Sequence, residues 1–107
     1  MYENVAYSFK SNLALEELRE RLNKGNRWEW LRRNSDRFDD YISALANPDW
    51  GMLKVYVEKD HYVIDVVFRS ARAEAAAEFE ALHKLVLERV LPSVDAREVK
   101  AVKGYDS

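Results

Sequence analysis

The sequence contains no cysteine, only three glycines and two prolines, and no long run of apolar residues. Without cysteine the chain has no disulfide framework, no thiolate nucleophile and no cysteine ligand for zinc, which fits a reducing compartment. The low glycine and proline content excludes a low-complexity or disordered chain. The apolar runs are far shorter than the roughly 18–20 residues that cross a bilayer, and the first residues lack a secretory signal pattern. We therefore expect a cytoplasmic protein that does not associate with membranes.

The sequence also lacks a large excess of either charge. It has 17 basic and 19 acidic residues among 107, a formal net charge of −2. A general polyanion binder depends on many uncompensated cations, so this balance disfavours nucleic acid as the partner. Hydrophobic residues make up 48% of the chain, which is enough for one core. The length predicts a single domain over residues 1–107.

Hydrophobic periodicity divides most of the chain into strands and helices. The predicted elements are a strand over 4–9, a helix over 13–24, a strand over 27–33, a hairpin over 50–69, a long helix over 71–91 and an edge strand over 96–102. Strands and helices in this order predict an α+β fold in which an antiparallel β-sheet has two main helices packed on one face. The order resembles a variant of the ferredoxin-like plait.

The segment 36–46 is ambiguous. Its apolar residues have the spacing of a helix: Phe38, Tyr41, Ile42 and Leu45. The same segment could instead form a strand that pairs with residues 27–33 through a turn at 34–36. We favour a short helix here.

The hairpin has the most specific pattern. With Lys59 and Asp60 as a two-residue loop, the two sequence numbers in each cross-strand pair add up to 119. This register places one apolar set on the inward face and pairs Lys54 with Asp65, and Trp50 with Arg69, on the outward face. A slip by one residue would mix the two sets, so the register is well specified.

Motifs for catalysis and metal binding are missing from the sequence. The two histidines, His61 and His83, have no second histidine or cysteine at metal-ligand spacing, and no known catalytic signature occurs. Adjacent acidic residues such as Asp39 and Asp40 point to different faces of a helix or strand, so they do not form an acid–base couple. We expect no catalytic residue, no cofactor and no metal.

One basic window favours an alternative function. Between Arg19 and Arg37 the chain has seven basic and three acidic residues, together with Trp28 and Trp30. Aromatic side chains beside arginines suit stacked single strands, so an RNA-binding plait that uses this window is one alternative. The basic-glycine-aromatic run of RNA-recognition modules is absent, and Asp39, Asp40 and Asp49 follow the window.

The outward face of the hairpin is the surface that we associate with function, because it is apolar where an antiparallel sheet normally alternates to polar residues. Its apolar residues are Trp50, Met52, Tyr56, Val63 and Val67. The segment of Trp28 and Trp30 could fold across this face, or two copies of the chain could pair through it. A partner protein could also dock there, because Trp, Tyr, Met and Arg are enriched at interface centres.

We predict a small protein-binding module without catalytic activity. In size and composition it is similar to immunity or inhibitor proteins, which block a partner such as a toxin or enzyme by covering its surface. The expected contact residues are Trp50, Tyr56 and Arg69, then Trp28 and Trp30, with Met52 on the same face and Asp39 and Asp40 at the rim. A homodimeric plait that binds or converts a small molecule is the second alternative.

Overall fold

Within residues 2–25, 28–36, 39–47, 51–69 and 75–102, which the structure describes, the chain forms six strands and two main helices. The structure is a computed structural model. In chain order the elements are β1 (Tyr2–Lys10), α1 (Leu15–Gly25), β2 (Leu31–Ser35), β3 (Asp39–Asn47), β4 (Gly51–Glu58), β5 (His61–Arg69), α2 (Ala75–Leu85) and β6 (Arg97–Val102). The helices among these residues are too short or too polar to span a lipid bilayer.

The strands form one antiparallel sheet in the order β2-β3-β4-β5-β1-β6. The first strand of the chain therefore lies inside the sheet, between β5 and β6, and the two edges are β2 and β6. This confirms the predicted α+β class, an antiparallel sheet with two main helices.

The main core lies between the helices and one face of the sheet. From α1 it contains Leu18 and Leu22, and the strands contribute alternate residues such as Leu53, Val55 and Ile64. Phe79, Leu82, Val86 and Val90 are buried from the second helical segment. Both helices thus cover the same face, and we call the opposite face of the sheet the outer face.

The second helical segment changes its hydrogen-bonding pattern before it ends. After α2 it continues as a π-helical turn (Val86–Val90) and then as the short α3 (Leu91–Ser93). The amide of Leu91 bonds the carbonyl of Val86, five residues earlier. Pro92 lies in the first turn of α3, directly after the π-helical turn, so the helical segment ends at Ser93 rather than before the proline. The predicted start at 71 lies outside the described residues.

The hairpin register is confirmed. Every pair from Gly51↔Phe68 to Glu58↔His61 sums to 119, and Lys54 stands opposite Asp65. The predicted pair of Trp50 with Arg69 lies outside the described residues, since Trp50 is not among them.

The helix favoured for residues 36–46 is wrong. The segment is β3, which pairs with β2 from Leu31↔Ser43 to Ser35↔Asp39 and with β4 on its other side. Ile42 and Ala44 are buried against the helices, while Tyr41 and Leu45 lie on the outer face. Because both faces of this strand contain apolar side chains, the alternation of period two is hidden and the helical spacing arises by coincidence.

Candidate functional site

Adjacent strands bring outer-face residues together in cross-strand rows. One row contains Leu45, Met52 and Val67; a second contains Leu31, Ser43, Lys54, Asp65 and Ala6; a third contains Arg33, Tyr41, Tyr56, Val63 and Ser8. Side chains that face each other across antiparallel strands are close enough to pack, so each row forms a continuous strip of surface.

The middle of the outer face is already buried within the chain. Ala6, Tyr56 and Val63 form a second apolar cluster, against which Tyr41 packs. Asp65 is 1% exposed, on the same row as Lys54. A buried carboxylate is stable only with polar or charged partners, which makes this row structural. The central outer face is therefore core rather than open surface.

Exposed apolar surface remains where β2, β3 and β4 meet. Leu45 is 58% exposed and stands opposite the half-buried Met52, and Leu31 is 41% exposed on the neighbouring strand β2. We call these three residues the outer patch. They line a cleft of about 230 Å³ together with Glu29, Arg33, Ser43 and Ala44. Grouped apolar side chains with charges at the border are typical of interaction surfaces, whereas single exposed leucines need no explanation.

Of the hairpin residues predicted to bind a partner, Met52 is the one that lies in the outer patch. Tyr56 is on the outer face as predicted, but at 2% exposure its ring has almost no surface to offer. Arg69 ends β5, and its side chain lies outside the described part of the chain. Trp50 lies outside the described residues.

The two remaining tryptophans lie on the helix side of the sheet. Trp30 is fully buried and Trp28 is partly buried, and both belong to the main core. They precede β2 instead of lying within it, which corrects the predicted strand over 27–33. The side chain of Asn23 fixes this position: its Oδ1 accepts from the Trp30 amide at 2.7 Å, and its Nδ2 donates to the Trp30 carbonyl at 3.2 Å. The interpretation that this segment covers the outer face is therefore wrong.

Asp39 and Asp40 begin β3 at the exposed end of the β2–β3 hairpin. Asp39 has a φ of 56°, which is the left-handed conformation that tight turns require. Asp40 accepts a hydrogen bond from Asn34 at 3.0 Å and from Arg32 at 3.2 Å. These two hydrogen bonds lower the pKa of the Asp40 carboxyl, because they favour its charged form. Asp40 thus fixes two side chains of β2.

Three of the seven basic residues in the basic window form internal ion pairs in the part of the chain that the structure describes. Arg19 bonds Glu16 at 2.7 Å, Arg21 bonds Asp95 at 2.8 Å and Arg32 bonds Asp40 at 3.2 Å. Arg33 is exposed and forms no ion pair within the described part of the chain. Among the described residues, Trp28 and Trp30 lie on the opposite side of the sheet from Arg33, so these three side chains do not share one face.

Each histidine contacts a neighbouring polar side chain. His83 Nε2 is hydrogen-bonded to the hydroxyl of Tyr7, which joins α2 to β1. Burial, and then the charge of Glu80, raise the pKa of Tyr7. His61 Nδ1 lies 3.2 Å from Asp60 Oδ1 in the hairpin loop. Among the described residues, no three histidine or acidic side chains cluster as metal ligands.

The residues predicted to contact a partner protein do not include Leu31 or Leu45, and Arg33 is predicted only as part of the basic window. Leu45 was assigned to the apolar stripe of a helix, and the alternation that places it beside Met52 appears only when residues 39–47 are a strand. The pairing of β2 with β3 then brings Leu31 onto the same face, opposite Ser43 and diagonal to Leu45. The alternative prediction, a strand that pairs with residues 27–33 through a turn at 34–36, contains the strand pairing on which this surface depends.

None of the protein-family models matches this sequence, and no curated protein matches it either.

Proposed function

We propose that this chain is a small protein-binding module without catalytic activity, of the immunity or inhibitor type that covers a surface of its partner. The outer patch is the observation that supports this proposal. Leu31 and Leu45 are exposed side by side with Met52 at one end of a sheet face whose middle is filled by the chain's own side chains. Desolvation of such a patch by a partner is favourable by about 25 cal/mol per Å².

The charge of Arg33 adds a second requirement for the surface of the partner. Arg33 stands next to the outer patch, on the same face of β2 as Leu31, and has no acidic partner in the described part of the chain. A protein surface with apolar side chains at its centre and a carboxylate toward Arg33 would complement both features. Arginine pairs with carboxylates through two parallel hydrogen bonds, which adds orientation to the apolar contact.

The strand order supports our proposal of a plait-like fold with one additional hairpin, formed by β2 and β3. Without β2 and β3, the remaining strands have the order β6-β1-β5-β4, with α1 after β1 and α2 after β5. In the proposed interpretation this is a ferredoxin-like plait to which the β2–β3 hairpin has been added at one edge. The outer patch lies where this hairpin joins the plait, so the addition and the proposed binding surface coincide.

The test is affinity capture from the organism that encodes the chain, with one variant in the outer patch and one matched control. Leu45→Asp places a charge in the patch, whereas Val57→Asp places the same charge at a site that is 49% exposed and lies at the far end of β4. We expect one protein to bind the original chain and the Val57 variant, and Leu45→Asp to weaken that binding at least about tenfold.

Light scattering on the same samples separates the alternatives. We expect a monomer of 12.6 kDa for the original chain. A dimer that Leu45→Asp dissociates would replace the proposal with self-association through the outer face. Equal capture by all three forms, capture of RNA in place of protein, or capture of nothing would overturn it. Thermal melts of both variants establish that each remains folded.

A further inference from the structure

The two edges of the sheet differ in how well they could accept another strand. In β6, the pairing with β1 shifts its register between Ser8 and Lys10, and Glu98 has a φ of 52°. Lys10 contacts Glu98 at 3.5 Å next to this irregularity. An irregular backbone with charged side chains is a common way in which natural sheets prevent edge-to-edge pairing. The β6 edge is protected in this way.

The β2 edge is regular. Its five residues pair with β3 in an unbroken register from Leu31↔Ser43 to Ser35↔Asp39. The first four of them are exposed. Arg32 and Asn34 are both bonded to Asp40, which holds the strand in its extended form beside β3. On the side of β2 away from β3, the sheet has no further strand within the described residues.

We infer that β2 receives an extended segment of the partner protein as a seventh, antiparallel strand; this rests on the proposed function. Main-chain hydrogen bonds would supply affinity, and side chains on alternate residues would set the register. On the outer face, Arg33 requires a carboxylate opposite it and Leu31 an apolar side chain. In an antiparallel strand these two residues are separated by one position, with the acidic residue first. The segment is thus acidic–any–apolar.

A second copy of the chain fits this edge poorly. The antiparallel register that pairs all five residues of two β2 strands sets the two Arg33 side chains directly opposite each other. Like charges in that position are destabilising. The edge therefore favours a different, acidic segment over self-pairing.

The probe is a peptide, acetyl-Thr-Thr-Glu-Thr-Leu-Thr-Thr-amide, titrated into the ¹⁵N-labelled chain. We expect saturable amide shifts concentrated in Leu31–Ser35 and its neighbour β3. The control peptide has the same composition with Glu and Leu exchanged, and should bind several-fold more weakly. Arg33→Glu should weaken binding of the first peptide about fivefold or more. The Arg33→Glu variant should bind a peptide in which Lys replaces Glu more tightly than it binds the first peptide.

N-methylation distinguishes strand addition from side-chain docking. Two further peptides keep the side chains but are methylated on alternate amides, in the two alternate sets. Methylation of the amides that face β2 removes their hydrogen-bond donors and should lower the affinity of the peptide at least about tenfold. Methylation of the other amides, which face solvent, should change the affinity little. Equal effects of the two sets, shifts confined to other elements, or no shifts at all would overturn strand addition. If capture of the partner still depends on Leu45 in that case, the proposed function stands without it.

Discussion

At the scale of single residues, a few polar contacts join the two layers of the fold at defined points. Tyr62 in β5 donates its hydroxyl to the carbonyl of Leu13 at 2.6 Å, and its ring stacks on Phe9 with centroids 5.5 Å apart. Ser11 similarly donates to the carbonyl of Val94 at 2.8 Å. These bonds fix the chain just before α1 and just after α3, which places the helices over the sheet.

Tyr62 also makes the stability of the folded protein decrease at alkaline pH. Burial, and then the charge of Glu17, raise the pKa of Tyr62 above its ordinary value of about 10. The unfolded chain therefore releases this proton at a lower pH than the folded chain does. The stabilisation is complete below about pH 10 and is lost as the pH rises through the folded-state pKa.

We predict that Tyr62→Phe destabilises the protein by about 0.5–1.5 kcal/mol at pH 7, because the bond to the Leu13 carbonyl is lost. Above about pH 10 the difference between the two proteins should shrink, since the phenylalanine variant has no proton to release at this position. Urea unfolding of both proteins at pH 7 and in the alkaline range measures this. A difference that stays constant across that range would contradict the role of Tyr62.

At the scale of elements, the hairpin and the β2–β3 pair show what sequence patterns can and cannot determine. The β4–β5 register was predictable, because its inward residues alternate without interruption around a two-residue loop. The β2–β3 hairpin was the less favoured of two alternatives, because Tyr41 and Leu45 on the outer face obscure the alternation of Ile42 and Ala44. The outer patch was missed for the same reason, since it depends on β3 being a strand.

The register of β4 and β5 leads to a prediction about charge. Lys54 and Asp65 stand opposite each other, and Asp65 is buried. Reversing either charge alone should destabilise the protein, and reversing both together should recover a substantial part of the loss, because the pair is restored. A double-mutant cycle from urea unfolding gives the coupling energy. If the two losses simply add, the side chains do not interact across the strands.

At the scale of the whole molecule, stability depends on the core that the helices and the sheet share. Ile64 from β5 and Phe79 from α2 lie in the same cluster, at 0% and 3% exposure. The sequence predicts the register that places Ile64 on the inward face and the long helix that contains Phe79, because periodicity reveals which side of an element is buried. It could not reveal that Trp30 completes this core, since the position of Trp30 depends on Asn23 and lies outside any regular element.

We predict that Ile64→Ala and Phe79→Ala each destabilise the protein by about 2–5 kcal/mol, as large-to-small changes in packed cores do. Lys84→Ala, at an exposed position of the same helix as Phe79, should change stability by less than about 0.5 kcal/mol. Urea unfolding of the three variants provides the comparison. Similar losses for Lys84 and Phe79 would mean that α2 faces the sheet with a different side.

The place of β1 inside the sheet has a consequence for biosynthesis. Its two neighbours, β5 and β6, are both synthesised long after it, whereas β2 to β5 can pair successively as hairpins. On the ribosome β1 therefore emerges with both of its hydrogen-bonding edges unsatisfied, and it stays so while the middle of the chain is made. Completion of the sheet waits for β6. The nascent chain thus exposes Val5, Tyr7 and Phe9 to chaperones until translation has passed the second helical segment.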